Sequence, residues 1–106
     1  MASYQILYWH DIPMQVRVRG PGGRASVQLA SRFQEAVDQV AMATGLIGSD
    51  EYTAALRWGE AQERAGSAQE VAAAVAAELE AAEPAIDWRA AVERIRQERA
   101  STDEAD

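Results

Sequence analysis

The alternation of apolar and polar residues is clearest between residues 4 and 20, and it predicts a β-hairpin. Residues 14–19 carry Met or Val at every second position, with Gln or Arg between them, the period of a half-buried strand. The segment Gln5–Trp9 is apolar on both faces and is therefore expected inside the sheet. Pro13 fixes its own φ and biases Ile12 towards extended geometry, which predicts the hairpin turn over His10–Pro13.

Three later segments repeat apolar residues at helical spacing and are predicted to cover the sheet. Each has start or stop signals: Ser31 with Gln34 as a capping box and Gly45 after the first helix, Ser67 with Glu70 as a capping box and Pro84 after the second, and Asp87 as the cap of the third. The third helix presents Trp88, Val92 and Ile95 on one stripe.

Two segments are less clearly patterned. Residues 26–29 are compatible with a short edge strand. In residues 52–58 every second side chain is large or apolar, which favours a strand that continues into Gln62 with a kink at Gly59. The alternative for this second segment is a helix capped by Ser49, with Asp50 and Glu51 in its first turn.

The predicted fold is α+β: a small, mainly antiparallel sheet, made of the N-terminal hairpin and a third strand, covered by two to three helices. The predicted element order is ββαβαα. At 106 residues the chain is expected to form one domain over residues 1–99, followed by a disordered acidic tail over residues 100–106.

Composition narrows the functional classes. With no Cys, the chain has no disulfide or thiolate chemistry, and the absence of a long apolar run or a basic leader predicts a cytoplasmic protein without membrane contact. The net charge is −7, but residues 1–32 hold four Arg against one acid, whereas the remainder holds six Arg against sixteen acids. Nucleic-acid binding is therefore not expected over most of the surface.

No motif in the chain names a reaction. His10 is the only histidine and lies beside Asp11, so it forms neither a triad nor a metal site without further partners. The Gly20–Gly23 loop lacks both phosphate-binding glycine motifs. We therefore assign no catalytic, cofactor-binding or metal-binding residue, and the sequence favours a protein that is not an enzyme.

The aromatic residues of the hairpin suggest an interface. Because Ile6 and Tyr8 lie on the opposite strand face from Leu7 and Trp9, one pair is expected to stay exposed unless the last helix covers it. An aromatic patch rimmed by Arg is typical of a protein interface. The candidate interface residues are Tyr8, Trp9, His10, Arg17, Arg19 and Trp58.

Three stretches carry a resemblance to a known family: residues 4–20 (YQILYWHDIPMQVRVRG), 57–67 (RWGEAQERAGS) and 70–88 (EVAAAVAAELEAAEPAIDW). Taken together they resemble the short bacterial virulence factor family, which is also similar to part of conserved virulence factor C. The resemblance covers residues 3–88. It implies a small cytoplasmic protein with no assigned catalytic residues and an accessory role in methyltetrahydrofolate and corrinoid methyl transfer.

The sequence therefore predicts a non-enzymatic accessory or adaptor protein that binds another protein, or a second copy of itself, through its sheet face. The resemblance implies that this partner is an enzyme of methyl transfer. The alternative is a small ligand-binding or catalytic subunit of one-carbon metabolism that uses the His10 hairpin tip and the Gly20–Gly23 loop.

Overall fold

The computed structural model describes residues 1–46 and 50–104, which form five strands and four helices. In chain order these are β1 (Ala2–Trp9), β2 (Ile12–Gly20), β3 (Gly23–Gln28), α1 (Ser31–Thr44), α2 (Asp50–Ala54), β4 (Leu56–Trp58), β5 (Gln62–Arg64), α3 (Ala68–Ala82) and α4 (Trp88–Glu104).

All strand pairs are antiparallel, and the order across the sheet is β3-β2-β1-β4, with β5 pairing beside β4 on the same edge of β1. The α+β class and the antiparallel sheet are thereby confirmed. The predicted order ββαβαα was incomplete, because it omitted β3, α2 and β5. The weakly patterned segment over residues 26–29 belongs to β3, which begins earlier, at Gly23.

The first hairpin has a tighter turn than predicted, since only His10 and Asp11 separate β1 from β2. His10 has a φ of 52°, and its backbone N–H donates to the Ala55 carbonyl at 3.2 Å. The pairing register shifts between Leu7 and Tyr8, which leaves Met14 without a partner on β1 and forms a β-bulge. A bulge increases the local twist of a strand pair, and beyond it both Trp9 and its cross-strand partner Ile12 are buried in the core.

The second hairpin turns through Pro21 and Gly22. Pro at the first central position and Gly22 with a φ of 87° at the second match a type II turn. Gly20 lies so close to β1 that an added Cβ would be 2.7 Å from the Cβ of Ala2. The Pro21 carbonyl accepts a hydrogen bond from the backbone N–H of Ala68, which ties this turn to the start of α3.

Helix α3 packs on one face of β1, β2 and β3, while α1 packs on β2 and on α4. The buried cluster lies between these layers and includes Val16 and Val18 from the sheet and Val71 and Val75 from α3. Helix α4 packs on α1, so the alternative in which the last helix covers the other face of the hairpin is not the one found.

Most of the predicted helix signals are confirmed. Ser67 and Glu70 form a reciprocal capping box, Asp87 accepts from the backbone N–H of Ala90 at 3.1 Å, and Gly45 ends α1 with a φ of 74°.

The capping box predicted at Ser31 was wrong, because Ala30 is the N-cap of α1 and makes no side-chain cap. A tertiary contact takes its place. The backbone N–H of Ala30 donates to the Glu80 carboxylate at 2.7 Å, and Arg32 donates to the carbonyls of Glu80 and Glu83.

The segment over residues 52–62 combines both alternatives. Tyr52 lies in the short helix α2, whereas Leu56–Trp58 forms β4, and the strand is interrupted at Gly59 before β5 begins at Gln62. The prediction of one strand from Tyr52 was therefore wrong in its first half. The proposed cap at Ser49 lies outside the described residues.

Helix α4 continues to Glu104, past residue 100, at which the acidic tail was predicted to begin. The division of the chain at residue 99 stays a prediction. Among the described residues, none of the helices is long and apolar enough to cross a membrane.

Candidate functional site

The face of the sheet opposite α3 is polar and solvent-exposed, and it carries three arginines. Directly paired residues in antiparallel strands point to the same side, so the pairs Gln5–Arg17, Arg17–Ser26 and Arg19–Arg24 share this face. Trp58 joins it from β4, because Trp58 pairs with Leu7. We call Gln5, Arg17, Arg19, Arg24 and Trp58 the arginine face.

Arg17 is held at the centre of this face by two neighbours. Its guanidinium carbon lies 3.8 Å from the centroid of the Trp58 ring, and its Nε and Nη2 both donate to the Gln5 side-chain oxygen, at 3.0 and 2.8 Å. The Gln5 amide nitrogen donates in turn to the Gly59 carbonyl at 3.1 Å. This arrangement orders the long Arg17 side chain before any partner binds, which lowers the entropy cost of binding.

Arg19 and Arg24 lie directly opposite each other across β2 and β3, and both are exposed. Like charges in this position destabilise a sheet. Among the described side chains neither of the two forms an ion pair. The pair therefore offers two cations, close together, to an anionic group from outside the domain.

The arginine face borders a shallow groove of about 610 Å³. Arg17, Arg19 and Arg24 line it together with Gln5 and the hydroxyls of Ser3 and Ser26. An open groove of mixed polarity suits the side chains of a protein partner better than the enclosed, mostly apolar pocket that small molecules usually occupy.

The structure divides the six candidate interface residues. Arg17, Arg19 and Trp58 lie together on the arginine face, and Tyr8 lies apart from them, with Arg57 5.3 Å from the centroid of its ring. Trp9 is fully buried, and its indole N–H donates to the Tyr52 carbonyl at 2.9 Å. In this fold Trp9 is a core residue and does not present its side chain to a partner.

His10 lies at the hairpin tip, with its ring 4.6 Å from that of Trp9 in an edge-to-face arrangement. The Gly20–Gly23 turn lies at the opposite end of β2, whose nine residues span roughly 26 Å. One pocket lined by both is therefore not formed, which removes the geometric basis of the ligand-binding alternative.

The six candidate interface residues did not include two members of the arginine face, Gln5 and Arg24. A signal for Arg24 exists in the sequence, since residues 24–28 alternate polar and apolar side chains as a half-buried strand does. No comparable signal exists for Gln5, because its role depends on the register that places it opposite Arg17.

Shifted pKa values occur away from this face. Hydrogen bonds from Arg64 hold the pKa of the Glu78 carboxyl below its ordinary value, and hydrogen bonds from Ser67 lower the pKa of Glu70. Both belong to helix α3 and its contacts. Within the described residues, no three His, Cys, Asp or Glu side chains are grouped so that they could hold a metal ion.

Comparison with known proteins gives one result. A family model described as virulence factor matches residues 7–97. The chain belongs to the virulence factor family. The match begins within β1 and extends through most of α4, nine residues beyond the C-terminal limit of the resemblance seen in the sequence. No curated protein and no solved structure matches the chain.

Proposed function

We propose that this virulence factor family member is a non-enzymatic accessory protein whose arginine face binds an acidic surface of a partner protein. The observation that carries the proposal is the concentration of three exposed arginines on one sheet face of a chain whose net charge is −7. Arg17 is already ordered by Gln5 and Trp58, and Arg19 and Arg24 are placed side by side with no counter-ion among the described side chains.

A protein partner fits this face better than a nucleic acid does. Trp58 and Leu7 add half-buried apolar area beside the guanidinium groups, and this mixture of aromatic and Arg side chains is typical of binding hot spots. The acidic remainder of the chain repels phosphate backbones that extend beyond the arginine face. Acidic side chains confined to one patch of a protein avoid that repulsion, because charges beyond about 8 Å are screened at physiological salt.

We propose further that the partner is an enzyme of methyl transfer from methyltetrahydrofolate or a corrinoid. This part of the proposal is supported by the family resemblance alone, and mass spectrometry of the captured partner tests it separately. A partner of another enzyme class would contradict this part and leave the binding proposal in place.

The experiment compares capture by two charge-reversed variants. Arg17→Glu reverses the central charge of the arginine face, and Arg89→Glu is the matched control. Arg89 is also an exposed arginine over a tryptophan, 4.7 Å from the Trp88 ring centroid, but it lies on α4. Tagged proteins are used for affinity capture from the native cytoplasm at low salt, and the yield of each co-purifying protein is measured.

We expect one protein to be retained by the native chain and by Arg89→Glu, and lost with Arg17→Glu. Removal of a hot-spot arginine costs about 2 kcal/mol or more, which corresponds to at least roughly a thirtyfold loss of affinity. Circular dichroism of both variants shows whether the fold is intact. Equal capture by all three proteins would refute the proposal.

A further inference from the structure

Strand β3 is an edge strand, and the register of its pairing with β2 decides which of its backbone groups face outwards. The turn through Pro21 and Gly22 closes on the pair Gly20–Gly23, which makes that pair hydrogen-bonded. Hydrogen-bonded and non-hydrogen-bonded pairs alternate along the ladder. Residues 23, 25 and 27 therefore bond to β2, and the N–H and C=O groups of Arg24, Ser26 and Gln28 point away from the sheet.

The end of the ladder agrees with this assignment. The N–H of Leu29 donates to the Met14 carbonyl at 3.1 Å, as it should if odd-numbered residues of this segment bond to β2. Arg24, Ser26 and Gln28 are all exposed, and no backbone partner on the outer side of β3 is found among the described residues. Three outward N–H and three outward C=O groups thus form an unoccupied strand edge.

This edge lacks most of the features by which proteins usually block strand pairing, since Arg24 is its one charged side chain. Within Gly23–Gln28 there is no proline, no lysine and no bulge in the register with β2. The side chains of its outward-bonding residues lie on the same sheet face as Arg17 and Arg19. The free edge and the arginine face are therefore parts of one continuous surface.

We propose that an extended acidic segment of the partner adds to the sheet as a strand antiparallel to β3. This inference rests on the proposed function, because it describes how the arginine face engages its partner. Backbone hydrogen bonds to Arg24, Ser26 and Gln28 supply affinity, and the alternation of side chains supplies specificity.

The chemistry of the two faces specifies the partner segment. Side chains beside Arg24 on the arginine face should be carboxylates, because opposite charges stabilise directly paired positions. Side chains beside Ala25 and Val27 continue the face that α3 covers and should be apolar. The segment therefore alternates acidic and apolar residues.

A second copy of the chain is a poorer occupant. A two-fold pairing of β3 about Ser26 places Arg24 opposite Gln28 of the second copy, so no carboxylate meets the arginines. It also brings together two chains of net charge −7.

The probe is a fluorescent heptapeptide that alternates Glu and Val, and the control peptide has the same composition with Glu and Val in separate blocks. Fluorescence anisotropy measures binding to the full chain. We expect the alternating peptide to bind at least about tenfold more tightly, because only this peptide offers carboxylates and apolar side chains to the correct faces while its backbone pairs. Added salt should weaken its binding.

Two substitutions at one position separate the backbone from the side chain. Ser26→Pro removes the outward N–H without touching a bond to β2, and proline is tolerated at such an edge position. Ser26→Ala keeps the N–H and removes only the hydroxyl. We expect Ser26→Pro to lose about tenfold or more in peptide affinity and Ser26→Ala to bind like the native chain.

Amide hydrogen exchange gives a readout that does not depend on affinity. In the free protein the amides of Arg24, Ser26 and Gln28 should exchange quickly, while those of Ala25 and Val27 are protected by β2. Saturation with the alternating peptide should protect the first three. Unchanged exchange, equal binding of both peptides, or a Ser26→Pro variant that binds normally would each overturn the strand-addition proposal.

Two further outcomes are distinguishable. If Arg17→Glu abolishes partner capture but Ser26→Pro does not, the arginine face binds its partner without strand addition, so this inference fails and the proposed function stands. If the three amides become protected in the protein alone as its concentration rises, and sedimentation shows a dimer, the occupant is a second copy and the acidic-strand proposal is overturned.

Discussion

Replacement of Trp9 distinguishes a role in the core from a role in an interface. The sequence suggests that Trp9 is an interface residue, whereas the structure shows that it is buried in the core. Trp9 is 0% exposed, and its indole nitrogen donates to the Tyr52 carbonyl at 2.9 Å. Its ring also contacts that of Tyr52, with 5.6 Å between the centroids. The side chain thus joins the end of the first hairpin to α2, two elements that are distant in sequence.

Two contributions set the cost of Trp9→Phe. The Tyr52 carbonyl loses its indole donor, which costs about 1–2 kcal/mol because this hydrogen bond is only part-buried. The smaller ring leaves part of the indole volume unfilled, for which about 1–2 kcal/mol is a reasonable value in a close-packed core. We expect a total loss of about 2–4 kcal/mol, and about 3–5 kcal/mol or more for Trp9→Ala. A domain of this size is stable by only about 5–15 kcal/mol.

Urea denaturation followed by circular dichroism measures this loss. Trp58→Phe is the matched control, because Trp58 is only half-buried and its removal should leave the core intact. In the native protein, acrylamide should quench Trp58 and Trp88 before Trp9. If Trp9→Phe leaves the unfolding free energy unchanged but abolishes partner capture, the assignment of Trp9 to the core is wrong.

Two further predictions concern the close approach of β1 and β2 and the acid stability of α3. Gly20→Ala should lower the unfolding free energy by about 1–3 kcal/mol, because the new methyl group would lie 2.7 Å from the Ala2 Cβ and 2.9 Å from its Cα. Ala2→Gly in the same chain should restore part of the loss in urea denaturation, and a Gly20→Ala protein as stable as the native one would contradict this packing. Hydrogen bonds from Arg64 lower the pKa of Glu78 in the folded protein. The stability that the ionised Glu78 contributes is therefore fully present above the ordinary pKa of 4.5, and it is lost as the pH falls through the lower pKa of the folded state. The urea midpoint should therefore decrease in acid. This decrease should be smaller for Glu78→Gln and unchanged for the control Glu60→Gln. If the urea midpoints of both variants depend on pH in the same way, Glu78 does not have this role.

Local signals of the sequence predicted much of the fold, and for clear physical reasons. The alternation marks the buried and exposed faces of β2 correctly over residues 16–19, because a strand with one covered face must alternate. The N-cap at Ser67 and the helix end at Gly45 depend only on neighbouring residues, so they can be predicted without knowledge of any tertiary contact. The same alternation predicts that Arg17 and Arg19 lie on the exposed face of β2.

The errors lie where contacts between distant segments override local preference. Ala30 replaces Ser31 as the cap of α1 because Glu80 supplies the acceptor from α3. Trp9 is buried and contacts Tyr52, which is 43 residues later in the chain, and the register shift beside it has no reliable signature in a single sequence.

The distribution of charge links the fold to the proposed binding mode. Acidic residues dominate the chain after residue 32, whereas β2 and β3 carry three arginines on one face, to which strand pairing also brings Glu63 of β5, opposite Ser3. A placement made only for solubility would gain more from mixed charges, since Arg19 and Arg24 repel each other across the ladder. An acidic strand at the β3 edge would replace that repulsion with attraction and would satisfy the outward backbone groups of β3. Arg19 and Arg24 thus account both for a cost in the free protein and for its relief in a complex.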